Sequence, residues 1–131
     1  MPTEPKTLLI VEDGETDRLI VRLFLEQAGY RVKDAEDAES GLDLCRRTRF
    51  DLCIIDGLLP RMDGFQMVRS LRAVPEYADV PLIILSGLEE PEWPARALAA
   101  GATDFILKSN NWNGLVAKVA SLIGPSATPA P

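Results

Sequence analysis

Short, unbroken apolar runs alternate along the chain with longer stretches in which apolar residues recur every three or four positions. Thr7-Leu-Leu-Ile-Val11 is a continuous β-prone run bounded by polar residues, the pattern of a fully buried strand. Residues 15–28 repeat at helical spacing, which places Leu19, Ile20, Leu23, Phe24 and Ala28 on one face with Gly29 as the stop. Residues 30–34 alternate, as a more exposed edge strand does. Asp37 is placed to cap a helix that turns Ala38, Gly41, Leu42 and Cys45 inward. Residues 51–55 read as a third strand, and Asp63 as the cap of a helix carrying Phe65, Val68 and Leu71. A loop over residues 75–79 leads to a fourth strand over 80–85. Pro91 and Pro94 sit where the next helix should begin, so that helix is expected to start late and end at Gly101. Residues 103–107 make a fifth strand. A last helix carries Leu115, Val116, Val119, Leu122 and Ile123 and is stopped by Gly124-Pro125.

Five strands alternating with five helices predict an α/β fold, a parallel sheet covered on both faces. Its 131 residues suit one domain with a real core and are too few for two. We expect the domain to occupy residues 6–124. Residues 1–5 and 125–131 are poor in apolar side chains and are expected to be disordered, the latter as a tail or the start of a linker. The starting Met1 favours a natural N-terminus. Folds of this kind bind ligands at the carboxyl ends of their strands. Those ends are polar here. The first strand runs into Glu12-Asp13, the third into Asp56, the fourth into Ser86-Gly87 and the fifth into Lys108-Ser109.

Composition narrows the chemistry. Twenty Asp and Glu against fourteen Lys and Arg leave a net charge of −6, with no extended basic run, so nucleic acid and anionic membranes are not expected partners. The first six residues lack a signal-peptide pattern and no apolar segment approaches a membrane span, so a cytoplasmic location is expected. Cys45 and Cys53 have no metal-ligand spacing and read as small buried hydrophobes. The chain has no histidine. It therefore holds no Ser-His-Asp triad, histidine-ligated metal or phosphohistidine of its own, and any phosphoryl donor comes from outside.

Three carboxylates, a hydroxyl and an ammonium thus converge on one edge of the sheet. Carboxylates packed together resist ionising unless a cation holds them. Oxygen ligands on a polar loop suit Mg²⁺, which prefers one or two carboxylates plus phosphate and keeps several waters. A lysine and a hydroxyl complement the oxygens of a phosphoryl group, and one carboxylate acting as nucleophile toward it makes a coherent mechanism.

The motifs Ile-Val-Glu12-Asp13, Ile-Ile-Asp56-Gly-Leu-Leu-Pro60-Arg-Met-Asp63-Gly64, Ile-Leu-Ser86-Gly87 and Gly101-Ala-Thr-Asp-Phe105-Ile-Leu-Lys108 resemble, in order and spacing, the receiver domain of two-component response regulators over residues 6–124. The resemblance implies a flavodoxin-like, doubly wound sheet of strand order 2-1-3-4-5. It implies that Asp56 is the phosphoacceptor, loaded from a histidine kinase or histidine phosphotransfer protein. Asp13, Asp56 and the Leu58 backbone carbonyl would bind Mg²⁺ directly, and Glu12 through water. Lys108 would pair with the phosphoryl oxygens, Ser86 would swing its hydroxyl to them, and Phe105 would turn inward as the second switch residue. The protein target would dock on the face of helix 4, strand 5 and helix 5. The function implied is a signalling switch rather than an enzyme.

Three departures modify that picture. Ser109 stands where the family commonly carries a cis proline; a cis bond at a non-proline residue costs about 2.5–4 kcal/mol, so an altered geometry of the Lys108 loop is expected, with the cis or trans state of the bond left open. Leu58 and Leu88 flank the path of a hydrolytic water where many receivers are polar, which implies slow self-dephosphorylation. Pro91-Glu-Trp93-Pro94 is unusual for the family, with Trp93 either a partner contact or a residue packed over its own helix. Two other functions are weighed against the switch. One is a degenerate receiver that binds partners constitutively. The other is a haloacid-dehalogenase-type aspartyl-phosphate hydrolase, which usually has an acid two positions after its nucleophile, where this chain has Leu58.

Overall fold

The computed structural model describes residues 5–109 and 111–125; the expectations for residues 1–4 and 126–131 lie outside them. Strand β1 (Thr7–Val11) is followed by α1 (Glu15–Gln27), β2 (Arg31–Ala35), α2 (Ala38–Arg47), β3 (Leu52–Asp56) and α3 (Gly64–Arg72). After a 3₁₀ turn (Pro75–Tyr77) come β4 (Leu82–Ser86), α4 (Trp93–Ala100), β5 (Asp104–Leu107) and α5 (Trp112–Ile123). The strands are all parallel and ordered β2-β1-β3-β4-β5, the doubly wound flavodoxin-like arrangement.

Side chains alternate across each strand, so the sheet builds two cores. Leu8, Ile10, Leu52, Ile54, Ile83 and Leu85 pack under α1 and α5. Leu9, Val11, Cys53, Ile55, Leu82 and Ile84 pack under α2, α3 and α4. Both β1 and β3 are buried on both faces, which is why they read as unbroken apolar runs.

Two helices carry the caps expected of them. Asp37 accepts the Ser40 amide at 2.7 Å, and Asp63 forms a reciprocal capping box with Gln66. Helix α4 starts late at Trp93 and ends at Gly101, whose φ of 107° is the left-handed conformation that favours glycine.

Helix α1 presents a different face from the expected one. Val21 and Leu25 are buried, whereas Leu19 and Leu23 are 54% and 47% exposed. Tyr77, expected in a loop, is buried inside the 3₁₀ turn. Cys53 is buried and Cys45 half-buried, both as free thiols.

Candidate functional site

The sheet ladder fixes the backbone of the site residues before any side-chain contact forms. The Glu12 amide donates to Ala35 O at 3.0 Å, Gly57 to Leu85 O at 3.1 Å, and Lys108 to Ser86 O at 2.7 Å, each one residue past a strand. The loop after Asp56 is then drawn back on itself, with the Gly64 amide on Gly57 O at 3.1 Å. A Cβ at residue 64 would lie 2.1 Å from Asp56 O, so only glycine lets α3 start this close to the phosphoacceptor candidate.

Three carboxylates meet at this edge. One oxygen from each of Glu12, Asp13 and Asp56 lies within 4.8 Å of the others, with Glu12 and Asp56 buried and Asp13 exposed. Asp56 Oδ1 accepts the Leu58 amide at 3.0 Å and Asp56 Oδ2 accepts from Lys108 Nζ at 3.2 Å. Lys108 also binds Glu12 and, at 3.2 Å, Asp17, while its stem crosses Gly87. Glu12 Oε2 accepts the Gly14 amide at 2.8 Å.

The charges shift one another. Burial is the main influence on Glu12 and pushes it up to about 7, against the opposing pull of Lys108 and the Gly14 amide. Burial alone would lower the Lys108 ammonium. The Glu12 bond and the Asp56 charge more than offset it, so Lys108 is held above its ordinary range and stays charged. A hard-oxygen donor set with one open, solvent-facing member is chemically suited to a small divalent cation.

The Lys108–Ser109 bond is trans, and Lys108 nevertheless reaches Asp56. Ser86 is fully buried, and its Oγ accepts the Leu88 amide at 3.1 Å. Phe105 is half-buried against the core beneath α2–α4. Leu58 and Leu88 flank the site but stand 50% and 45% exposed. Trp93 packs across to α3, edge-on to Phe65 with centroids 5.6 Å apart, while Arg96 lies 4.2 Å over the same ring.

Two participants escaped the sequence reading. Asp17 joins Lys108 from the first turn of α1, and Arg18 clamps the site backbone by donating to Glu12 O at 2.9 Å. The signal for Asp17 was its place as an acid in the first turn of α1, directly after the Glu12-Asp13 strand end.

Comparison with known proteins agrees with this geometry. The family model for the response regulator receiver domain matches residues 8–120. The response regulator GtcR of Aneurinibacillus migulanus is 38% identical over 114 residues, which cover 87% of this chain and 46% of that protein. The Vibrio cholerae chemotaxis protein CheY4 superposes with a TM-score of 0.86 at 30% identity, over 90% of this chain and 98% of that one. A signal receiver domain of a Syntrophus aciditrophicus histidine kinase gives 0.83 at 34% identity, over 90% of this chain and 89% of that one. The chain spans between 13% and 56% of the length of the first curated relatives it matches. Since the match runs through the strand ends that build the site as well as through the sheet, the chain belongs to the response regulator receiver family of two-component systems.

Proposed function

We propose that residues 6–124 act as a phosphorylatable switch in the cytoplasm, with Asp56 as phosphoacceptor. The observation that carries this reading is the double engagement of Asp56: a backbone amide on one oxygen and a shared ammonium on the other, at a strand end beside two further carboxylates. An Asp56 oxygen attacks the phosphorus of a partner's phosphohistidine. The phosphorus–nitrogen bond breaks, and its electron pair leaves on the imidazole. Glu12, Asp13, Asp56 and the Leu58 carbonyl would hold Mg²⁺, Glu12 through water; bound there, the ion neutralises charge on the phosphoryl oxygens. Lys108 already touches Asp56 and pairs with the phosphoryl group without crossing the site.

Phosphorylation replaces the single carboxylate charge of Asp56 with a phosphoryl group that carries roughly −1.5 to −2 charges and lies further into the site. That charge competes for Lys108 against Glu12 and Asp17, and draws the Ser86 hydroxyl hydrogen toward it, away from the rotamer in which Ser86 Oγ accepts the Leu88 amide. The Ser86 rotation makes room behind β5, where Phe105 turns inward, and the change is read on α4, β5 and α5. Leu98 on α4, 62% exposed, and the exposed Leu107 on β5 give that face apolar anchors for a protein target.

Intact-mass measurement after incubation with Mg²⁺ and acetyl phosphate tests the proposal. One phosphoryl adduct is expected on the native chain, and none on Asp56→Asn or without Mg²⁺. No adduct on either protein makes the chain a constitutive binding module instead, and an adduct that persists on Asp56→Asn removes Asp56 as the phosphoacceptor. Leu58→Asn should shorten the lifetime of the adduct, because the exposed leucine gives no polar group to orient a water.

A further inference from the structure

On the α2–α3 side of the molecule, away from the carboxylate edge, lies a cavity of about 640 Å³. Its size falls in the roughly 300–1,000 Å³ range of small-molecule sites. Leu42, Met62, Leu71 and Val74 give it an apolar lining, and Val74 is exposed. Its walls are fixed in advance. Tyr77 Oη donates to Thr48 O at 3.0 Å and accepts the Phe50 amide at 3.2 Å, while Arg72 holds Tyr77 O at 2.7 Å. Little ordering would therefore accompany binding.

The rim carries the opposite sign to the protein. In a chain of net charge −6, Arg46, Arg47 and Arg49 crowd into four positions and all line this cavity, with Glu76 the one acid beside them. Arg47 is engaged by Asp43 at 2.7 Å, but Arg46 approaches Asp43 only to 3.9 Å, and Arg49 pairs with no carboxylate among the described residues. Arg49 is thus left to meet an anion from outside, and Arg46 is held only by its long, exposed pair with Asp43. The Cys45 thiol lies on the same wall. The Cys53 thiol behind it, against the opposing effect of burial, and then Tyr77 and last Arg46 hold it below the ordinary thiol range.

We propose that this cavity is a second binding site, for a small organic anion with an apolar body and one carboxylate, sulfonate or phosphate group. The apolar body fills the space between α2 and α3, and the acid group is clamped by Arg46 and Arg49. The occupant is a small molecule rather than a protein segment, because the cavity is closed on one side by the tyrosine-pinned loop and has small-ligand dimensions.

The test uses anilinonaphthalene sulfonate and its uncharged relative phenylnaphthylamine as probes, with iodoacetamide labelling of Cys45 read by peptide mass. Saturable binding of the sulfonate is expected at one per chain, slowing Cys45 alkylation by about fivefold or more at saturation. An Arg46→Glu/Arg49→Glu variant with unchanged melting should bind the sulfonate at least about tenfold more weakly, while its affinity for the uncharged probe changes by less than about twofold. Sulfonate binding that ignores the charge reversal, or that leaves Cys45 unprotected, overturns the proposal. Protection of Cys45 by an acidic glutamate–leucine peptide but not by the sulfonate also overturns it and assigns the groove to a protein segment.

Discussion

Two partly buried cations hold opposite ends of the sheet, and they are satisfied in opposite ways. Lys108, past the carboxyl end of β5, is surrounded by carboxylates from β1, α1 and β3. Arg72, at the amino ends of β4 and β5, donates to neutral groups: Gly101 O at 2.8 Å, Tyr77 O at 2.7 Å, Val80 O at 2.7 Å and Thr103 Oγ1 at 3.3 Å. Burial lowers its pKa, opposed by the nearby Asp79 charge. Carbonyl dipoles are fixed by the backbone, whereas carboxylates can exchange one cation for another. One end is therefore architecture, and the other is a set of charges free to be repartnered.

That contrast predicts a double dissociation. Lys108→Ala should slow phosphoryl uptake by about a hundredfold, the scale of losing one charge stabiliser in a preorganised site. Its stability cost should stay small, since Asp13 leaves the site open to water and replacement cations. Arg72→Ala should do the reverse. It orphans several carbonyls at once and should lower unfolding free energy by about 2–4 kcal/mol in urea, with uptake per folded molecule within about twofold of native. The contrast fails if Lys108→Ala matches Arg72→Ala in urea while phosphorylating normally.

A smaller effect isolates one branch of the Arg72 end. Tyr77→Phe keeps the buried ring but removes the hydroxyl that joins Phe50 N to Thr48 O. A loss of about 1–2 kcal/mol is expected, with the phosphoryl adduct unchanged by mass. A Tyr77→Phe protein that melts as native does would show that these backbone groups find water instead.

The two ends also differed in how well the sequence disclosed them. Glu12 with Asp13 behind it, Asp56, Ser86 and Lys108 were legible because each strand's apolar run ends in a polar residue, and parallel topology sends all such ends to one edge. Arg72 was not, since its acceptors are mostly main-chain carbonyls that leave no trace in residue type. Strand limits moved for related reasons. Residue 56 closes β3 rather than following it, because Asp56 still pairs with Leu85, and β4 begins after Pro81, which has no N–H for the ladder. In α1, Leu19-Ile-Val-Arg-Leu-Phe-Leu25 is apolar on more than one side. Only the packing of Val21 and Leu25 under the sheet selects the buried face.

Asp37 is the case that tests whether position or partner decides a charge's role. It lies just past β2, at the carboxyl edge, yet its carboxylate accepts the Ser40 amide at 2.7 Å and meets Arg61 at 2.9 Å. Those contacts, led by the Ser40 amide, hold it below the usual carboxylate range. By the partner rule it belongs with Arg72 as architecture. A depressed pKa contributes stability that is present above the unfolded-state value, about 3.9, and is lost as pH falls through the folded-state value. Native protein should therefore lose stability on acidification more steeply than Asp37→Asn, which keeps a capping side chain but has nothing to protonate. At neutral pH the two should take up phosphoryl groups alike. Melting curves collected from pH 5 downward read the slope, and parallel curves for the two proteins would return Asp37 to the exchangeable charges of the carboxyl edge.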